Sequence, residues 1–407
     1  GDIDAAMYMR QPEGFVEKGK EHLVCRLKKS IYGLKQASRQ WYLKFDQVVT
    51  SMGFVENTVD HCIYFKASGS KFIFLTLYVD DILLASSDLG LLHGTKCKLS
   101  ETFDMKDLGE ASFVLGIKIH RDRSRGILGL SQRAYIERVL KRFSMENCNS
   151  GDVPIVKGDK FSKAQCPRNE LEKAAMKNIP YASAVGSLMY AQVCTRPDIA
   201  FAVSVLSRYQ SNPGMDHWKA AKKVMRYLKK TMNYMLTYRR CDRLEVVGYT
   251  DSDLAGCLDD RKSTSGYVFL LAGGAISWKS SKQSITASST MQAEFIACYF
   301  AGVQSIWLRN FISGLKVIDS ISKPLTLFCD NNSIVFFVKN NKLTSGSKHI
   351  ELKYLSVRDW VADGFIDVRH IGTDRMIADP LTKGLPPTSF MEHVLNMGIV
   401  ESFDRFG

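Results

Sequence analysis

The chain has 407 residues, 45% apolar and 24% charged, which excludes a largely disordered polypeptide and, at ~150 residues per domain, leaves room for two or three domains. It carries 55 Lys/Arg against 42 Asp/Glu, a net charge of +13. No apolar run approaches the ~18 residues that cross a bilayer, and Gly1-Asp2-Ile3-Asp4 has neither the basic nor the apolar region of a secretory signal, so neither a membrane partner nor secretion is expected.

The ten cysteines are irregularly spaced, with no C-x-x-C pair and no histidine at a ligand step, which reads as free thiols in a reducing, intracellular setting. The positive charge is one-sided. Residues 1–244 hold 39 Lys/Arg against 25 Asp/Glu, residues 245–385 hold 15 against 14, and residues 386–407 hold 1 against 3. Such a distribution favours a polyanion partner without specifying any base.

The first residue is Gly, which suggests a start inside a larger reading frame. In chain order, the first chemistry-bearing stretch is Phe72 to Ala85, two apolar strands meeting at Asp80-Asp81. The acids suit a hairpin turn; held side by side they equally suit a hard divalent cation. Residues 151–180, polar and proline-punctuated, read as a boundary. In 219–230, Lys219, Lys222, Lys223, Arg226, Lys229 and Lys230 fall on one helical face, opposite Ala221, Val224, Met225 and Leu228. This is either an ordinary solvated face or, because six cations repel each other, a nucleic-acid contact. A second joint is expected at 238–243.

Beyond it, Leu244 to Asp251 reads as a strand ending on an acid, and two further strands meet at Gly273-Gly274. A helix carrying Glu294 follows, then a strand ending at Asp330, a helix over 348–362, a strand over 365–371 ending near His370, and a last helix carrying Asp379. This is the element order of the ribonuclease H fold, with the four acids where that fold keeps its metal site. Taken singly, Asp330 could cap a helix, Glu294 could be a surface residue and His370 could be structural.

Tyr78-Val-Asp-Asp81 resembles the metal-binding turn of reverse transcriptases, and its surroundings resemble the copia (Ty1/copia) class of retrotransposon Pol polyproteins. The blocks Tyr8 to Phe15, Leu27 to Ala37, Phe103 to Gly109, Tyr181 to Tyr190, Thr195 to Ala200, Asn212 to Trp218, Tyr249 to Gly256, Asp259 to Tyr267, Lys348 to Glu351 and Ile377 to Lys383 carry the resemblance in order. It implies an α+β, α/β multidomain chain. Partial reverse transcriptase fingers and palm would occupy 1–150, a basic thumb or connection 151–244, a ribonuclease H-like domain with a five-stranded mixed sheet 245–385, and a tail 386–407.

The resemblance further implies that Gln36 lies where the incoming nucleotide binds, that 113–127 is the hairpin gripping the primer end, and that the 219–230 helix meets nucleic acid. Asp80 and Asp81 would be palm metal ligands. Asp251, Glu294, Asp330 and Asp379 would hold two Mg²⁺ (or Mn²⁺), with His370 assisting. The expected partners are an RNA–DNA hybrid, an RNA template and a DNA primer, in a cytoplasmic virus-like particle or the nucleus. The family's third palm Asp belongs to a block just before Gly1, and Asp2 and Asp4 fall after that block, so polymerase activity is expected to be lost. The rivals are a catalytically silent relic that only binds nucleic acid and an integrase or transposase, which would want a zinc-binding module.

Overall fold

The computed structural model describes residues 3, 6–31, 33–34, 36–316, 319–339 and 352–406. Asp2, Asp4 and the block 348–351 lie outside the described residues. The chain forms two compact units, Gly1–Gly109 and Glu110–Gly407.

In the first unit, β1 (Tyr8–Arg10) and β2 (Val24–Arg26) make a two-stranded ribbon. Then come α1 (Ala37–Ser51), β3 (Val55–Glu56), β4 (Ile63–Ser68), β5 (Lys71–Tyr78), β6 (Asp81–Ser86) and α2 (Leu89–Thr102). Strands β3 to β6 pair in sequence order as an antiparallel sheet. The alternation in β5 decides its faces: Ile73, Leu75 and Leu77 are buried, and they pack in one core with Phe45 and Val49 of α1 and Leu99 of α2. Asp88 caps α2 by accepting a hydrogen bond from Leu91 N at 2.8 Å.

The second unit begins with β7 (Phe113–Val114), β8 (Ile117–Asp122), β9 (Ile127–Ser131) and α3 (Arg133–Arg142). Helices α4 (Glu170–Lys177), α5 (Tyr181–Cys194), α6 (Ala200–Ser207) and α7 (Met215–Lys230) follow, then β10 (Met235–Arg239). Next come β11 (Val247–Ser252), β12 (Thr264–Leu271), β13 (Gly274–Lys282), α8 (Thr290–Leu315), β14 (Leu325–Cys329), α9 (Asn332–Lys339), α10 (Leu352–Ala362) and β15 (Ile366–His370). The chain closes with α11 (Pro387–Asn396) and β16 (Ile399–Val400).

Strands β11 to β15 form the expected five-stranded mixed sheet, in the order β13-β12-β11-β14-β15. The first three are antiparallel, whereas β14 runs parallel to both β11 and β15. The β12–β13 turn falls on Ala272 and Gly273, both at positive φ, one residue before the Gly273-Gly274 joint expected from sequence. On one face of the sheet, Phe269, Leu327 and Val368 pack with Phe295 and Ile296 of α8. On the other, Val268 and Ala275 share a core with residues of α3, α5, α6, α7 and α11. Both joints expected from sequence, at 151–180 and 238–243, therefore fall inside this second unit.

One further expectation is corrected here. The expected tail is packed against the fold: Phe390, Val394 and Ile399 are buried, and β16 adds an edge to a second sheet, β16-β10-β9-β8-β7. The expected primer-gripping hairpin, 113–127, belongs to that same sheet. The Thr195-Arg-Pro-Asp block also has a structural job. Arg196 and Asp198 form a buried ion pair with Nη2 2.7 Å from Oδ2, and Arg196 Nη1 donates to Thr231 O at 3.1 Å. That pair ties the end of α5 to the end of α7, and removing one partner of such a pair typically costs about 3–5 kcal/mol.

Candidate metal centre

The register of the mixed sheet positions the first two acids. Tyr249 of β11 lies beside Phe328 of the parallel β14, so two residues further along each strand Asp251 comes level with Asp330. Glu294 enters from the first turns of α8, whose start is fixed by Ser289 accepting from Gln292 N at 3.2 Å. Ser252 N donates to Glu294 Oε1 at 3.3 Å and ties helix to strand. Gln283 locks the corner, its Nε2 donating to Ser265 Oγ at 2.9 Å and to Ala293 O at 2.9 Å.

Asp379 arrives differently from the sequence expectation. It opens a single 3-10 turn, Asp379–Leu381, rather than sitting in a regular last helix. Pro380 suits the first turn of a helix, but Gly384 and two prolines follow directly and leave no length for one. The turn brings Thr382 against the sheet, where its hydroxyl donates to the Asp251 carboxylate.

The four acids converge. Carboxylate oxygens of Asp251, Asp330 and Asp379 lie within 4.8 Å of one another, and Glu294, Cys329 and Asp330 form a second set within the same limit. Asp330 belongs to both. Asp251, Glu294 and Asp379 are buried and Asp330 is half-buried. Burial, reinforced by Asp251 and Asp330, pushes the Glu294 carboxyl up to about 9. Burial with Asp251 also raises Asp379, to about 7, against the opposing pull of Lys383. Asp330 is raised for the same two reasons, burial first and Asp251 second. The site is thus short of positive charge.

The donor set suits a hard divalent cation: four carboxylates, with Glu294 Oε2 buried and lacking a hydrogen-bond partner. Asp251, Glu294, Asp330 and Asp379 are the residues that would hold it.

His370 is exposed at the end of β15, opposite Cys329 and one residue short of the level of Asp330. Sequence reasoning missed Lys383, whose Nζ lies 3.0 Å from Asp379 Oδ1 and 3.4 Å from Asp251 Oδ2. It also missed Thr382 and Gln283. The signal for Lys383 was its position four residues after Asp379, one helical turn away.

The other expected site residues do not gather in this way. Asp80 lies in the β5–β6 turn and Asp81 opens β6, both exposed, with Val79 at φ 55 and its carbonyl accepting from Trp41 Nε1 at 2.7 Å. Their exposure lets water screen the repulsion that in sequence argued for a cation, and among the described residues no third acid groups with them. Gln36 sits at the N-terminal end of α1.

The basic helix α7 buries the face expected of it. Its cations are partly neutralised from within the chain. Lys219 pairs with Asp216 at 3.1 Å and Lys223 with Asp159 at 2.6 Å. Lys230 pairs with Asp152, and Lys229 donates to Cys148 O. The inference that six repelling cations call for an outside anion is therefore corrected: acids of the 152–159 segment and Asp216 already supply part of the compensation. Lys222 lies 5.7 Å from the centre of the Trp218 ring, and Arg226 is exposed.

Comparison with known proteins defines the class first. The family model of reverse transcriptase (RNA-dependent DNA polymerase) matches residues 1–157. The chain is 47% identical over 391 residues to a retrovirus-related Pol polyprotein from transposon TNT 1-94 of Nicotiana tabacum, covering 96% of this chain and 29% of that protein. It is also 32% identical to a transposon Ty5-1 protein of Saccharomyces cerevisiae, covering 72% of this chain and 94% of that one. The chain belongs to the copia-type retrotransposon Pol polyprotein family. It spans less than a third of the length of the tobacco relative. Among solved structures, a ribonuclease H1 isolated from compost aligns over 34% of this chain and 92% of its own at 14% identity and a TM-score of 0.25, too low to carry an assignment.

Proposed function

We propose that the second unit is a ribonuclease H-type endonuclease that hydrolyses the RNA strand of an RNA–DNA hybrid using two Mg²⁺ ions, with Mn²⁺ able to replace them. The observation that carries this reading is the convergence of Asp251, Glu294, Asp330 and Asp379 with Glu294 Oε2 left buried and unpartnered. Divalent ions held there would supply an activated water and stabilisation of the leaving oxygen. The chain's own part is to hold the carboxylates: β11 and β14 fix Asp251 and Asp330, Gln283 fixes the start of α8 under Glu294, and the 379–383 turn presses Asp379 onto the sheet.

The hybrid would be recognised through 2′-hydroxyls and phosphates rather than base edges, with Lys222 and Arg226 of α7 among the contacts. His370, at the rim, is proposed to assist leaving-group or product steps. On the polymerase side, Gln36 would meet the incoming nucleotide and the 113–127 hairpin the primer. Because Asp80 and Asp81 stand on one exposed hairpin without a third acid among the described residues, residues 1–407 by themselves are proposed to lack RNA-directed DNA synthesis. The setting of this reading is intracellular, in a cytoplasmic particle or the nucleus.

The test is cleavage of a labelled RNA–DNA hybrid by the full chain with and without Mg²⁺, beside Asp330→Asn. Metal-dependent cleavage that Asp330→Asn abolishes, with hybrid binding retained, supports the proposal. Binding without cleavage at any Mg²⁺ or Mn²⁺ concentration would leave the silent relic as the reading.

A further inference from the structure

Among the described residues, Lys383 is the one Lys or Arg that ion-pairs with the four clustered acids. Its place is set by the backbone: Lys383 N donates to Asp379 O at 3.2 Å, closing the turn so that the side chain reaches back over Asp379 toward Asp251. The ammonium bridges two of the three carboxylates whose oxygens lie close enough together to share an ion.

The charge balance makes this position consequential. With metal bound the four carboxylates are ionised and carry −4, which two divalent ions neutralise in full, leaving the ammonium as surplus positive charge. A monovalent and a divalent cation a few Å apart repel strongly even at the screening found in proteins. The side chain is 37% exposed, and its flexible four-carbon stem gives the ammonium a route to solvent.

We propose that Lys383 is the resident counter-ion of the acid cluster, that a divalent ion loads as the ammonium withdraws, and that Lys383 thereby sets the metal affinity of the site. This rests on the metal-centre reading above. It predicts a lysine that holds the metal-free site together and opposes metal entry, whereas a lysine that merely tethers the turn would favour metal binding by keeping Asp379 in place.

The experiment is calorimetric titration of the full chain with MgCl₂ at fixed ionic strength, paired with thermal melting in the absence of metal. Lys383→Gln and Lys383→Met, the second keeping most of the apolar stem, should bind Mg²⁺ roughly tenfold more tightly than wild type. Both should melt lower without metal and recover when Mg²⁺ is added, whereas Lys383→Arg should stay close to wild type in both measurements. If wild type binds Mg²⁺ and the two neutral variants bind it equally or more weakly, the inference is overturned while the metal centre stands. If neither wild type nor any variant takes up Mg²⁺, the metal-centre reading falls and the inference falls with it.

Discussion

Asp251 on β11 pairs across the sheet with Gly266 on β12, and the missing side chain at Gly266 lets the turn bearing Asp379 settle beside Asp251. A Cβ at position 266 would stand 2.8 Å from both Leu381 Cβ and Thr382 Cγ2, and 3.3 Å from the backbone carbon of Leu381. The contact therefore depends on glycine for room rather than for backbone freedom.

Gly266→Ala should push the turn off the sheet and disturb the carboxylates without altering any of them. Overpacking of this kind costs about 1–3 kcal/mol. Displacing groups that orient metal ligands typically lowers metal affinity by roughly 10–100-fold. Denaturant melts and Mg²⁺ titration measure the two effects separately. A variant with wild-type Mg²⁺ affinity would show that the 379–383 turn does not position the metal site.

The clustered acids also prescribe a pH dependence. Glu294 is raised to about 9 and Asp379 to about 7, so between roughly pH 4.5 and 9 the native state holds protons that the unfolded chain has released. Stability without metal should fall as pH rises through that window, and Mg²⁺ should oppose the fall. Asp330→Asn removes one of the repelling charges, so its melting temperature relative to wild type should climb from pH 5.5 to pH 8.5. A wild-type minus Asp330→Asn difference that is flat with pH would mean the acids are not electrostatically coupled.

Much of this site was legible because the strands were. Val, Tyr and Phe runs ending at Asp251 and Asp330 declare two strands whose C-terminal ends carry acids, and parallel pairing makes them neighbours. Glu294 stood out because it lies among the apolar Ala293, Phe295 and Ile296, and the fold buries all three. The Asp379 turn was less legible, since the same few residues suit the start of a helix until the tight packing at Gly266 is seen. Lys383 was only half legible: its place four residues after Asp379 was there to be read, but only the fold brings its ammonium back to Asp251. The internal partners of the basic helix were hidden for the same reason: Asp159 and Asp152 are 64 and 78 residues from the lysines they neutralise.

That neutralisation separates the cations of α7 into two groups with different expected behaviour toward nucleic acid. Lys223 and Lys230 are committed to acids of the same chain, and such surface pairs are worth at most about 1 kcal/mol. A cation already paired with a protein carboxylate displaces few counter-ions when a phosphate approaches, so it should add little to the salt dependence of binding. Arg226 is exposed, has no ion-pair partner among the described residues, and should contribute in full; Lys222, packed beside Trp218, should follow it. Charge reversal at Arg226 or Lys222 should therefore lower the slope of log affinity against log salt for an RNA–DNA duplex by about one unit each. Lys223→Glu should leave that slope nearly unchanged while lowering the melting temperature slightly, because it sets a second acid against Asp159. Fluorescence anisotropy across a salt series reads the slopes directly. Equal flattening by Lys223→Glu and Arg226→Glu would show that the internal pairs open on binding and that all six cations of the helix meet the duplex.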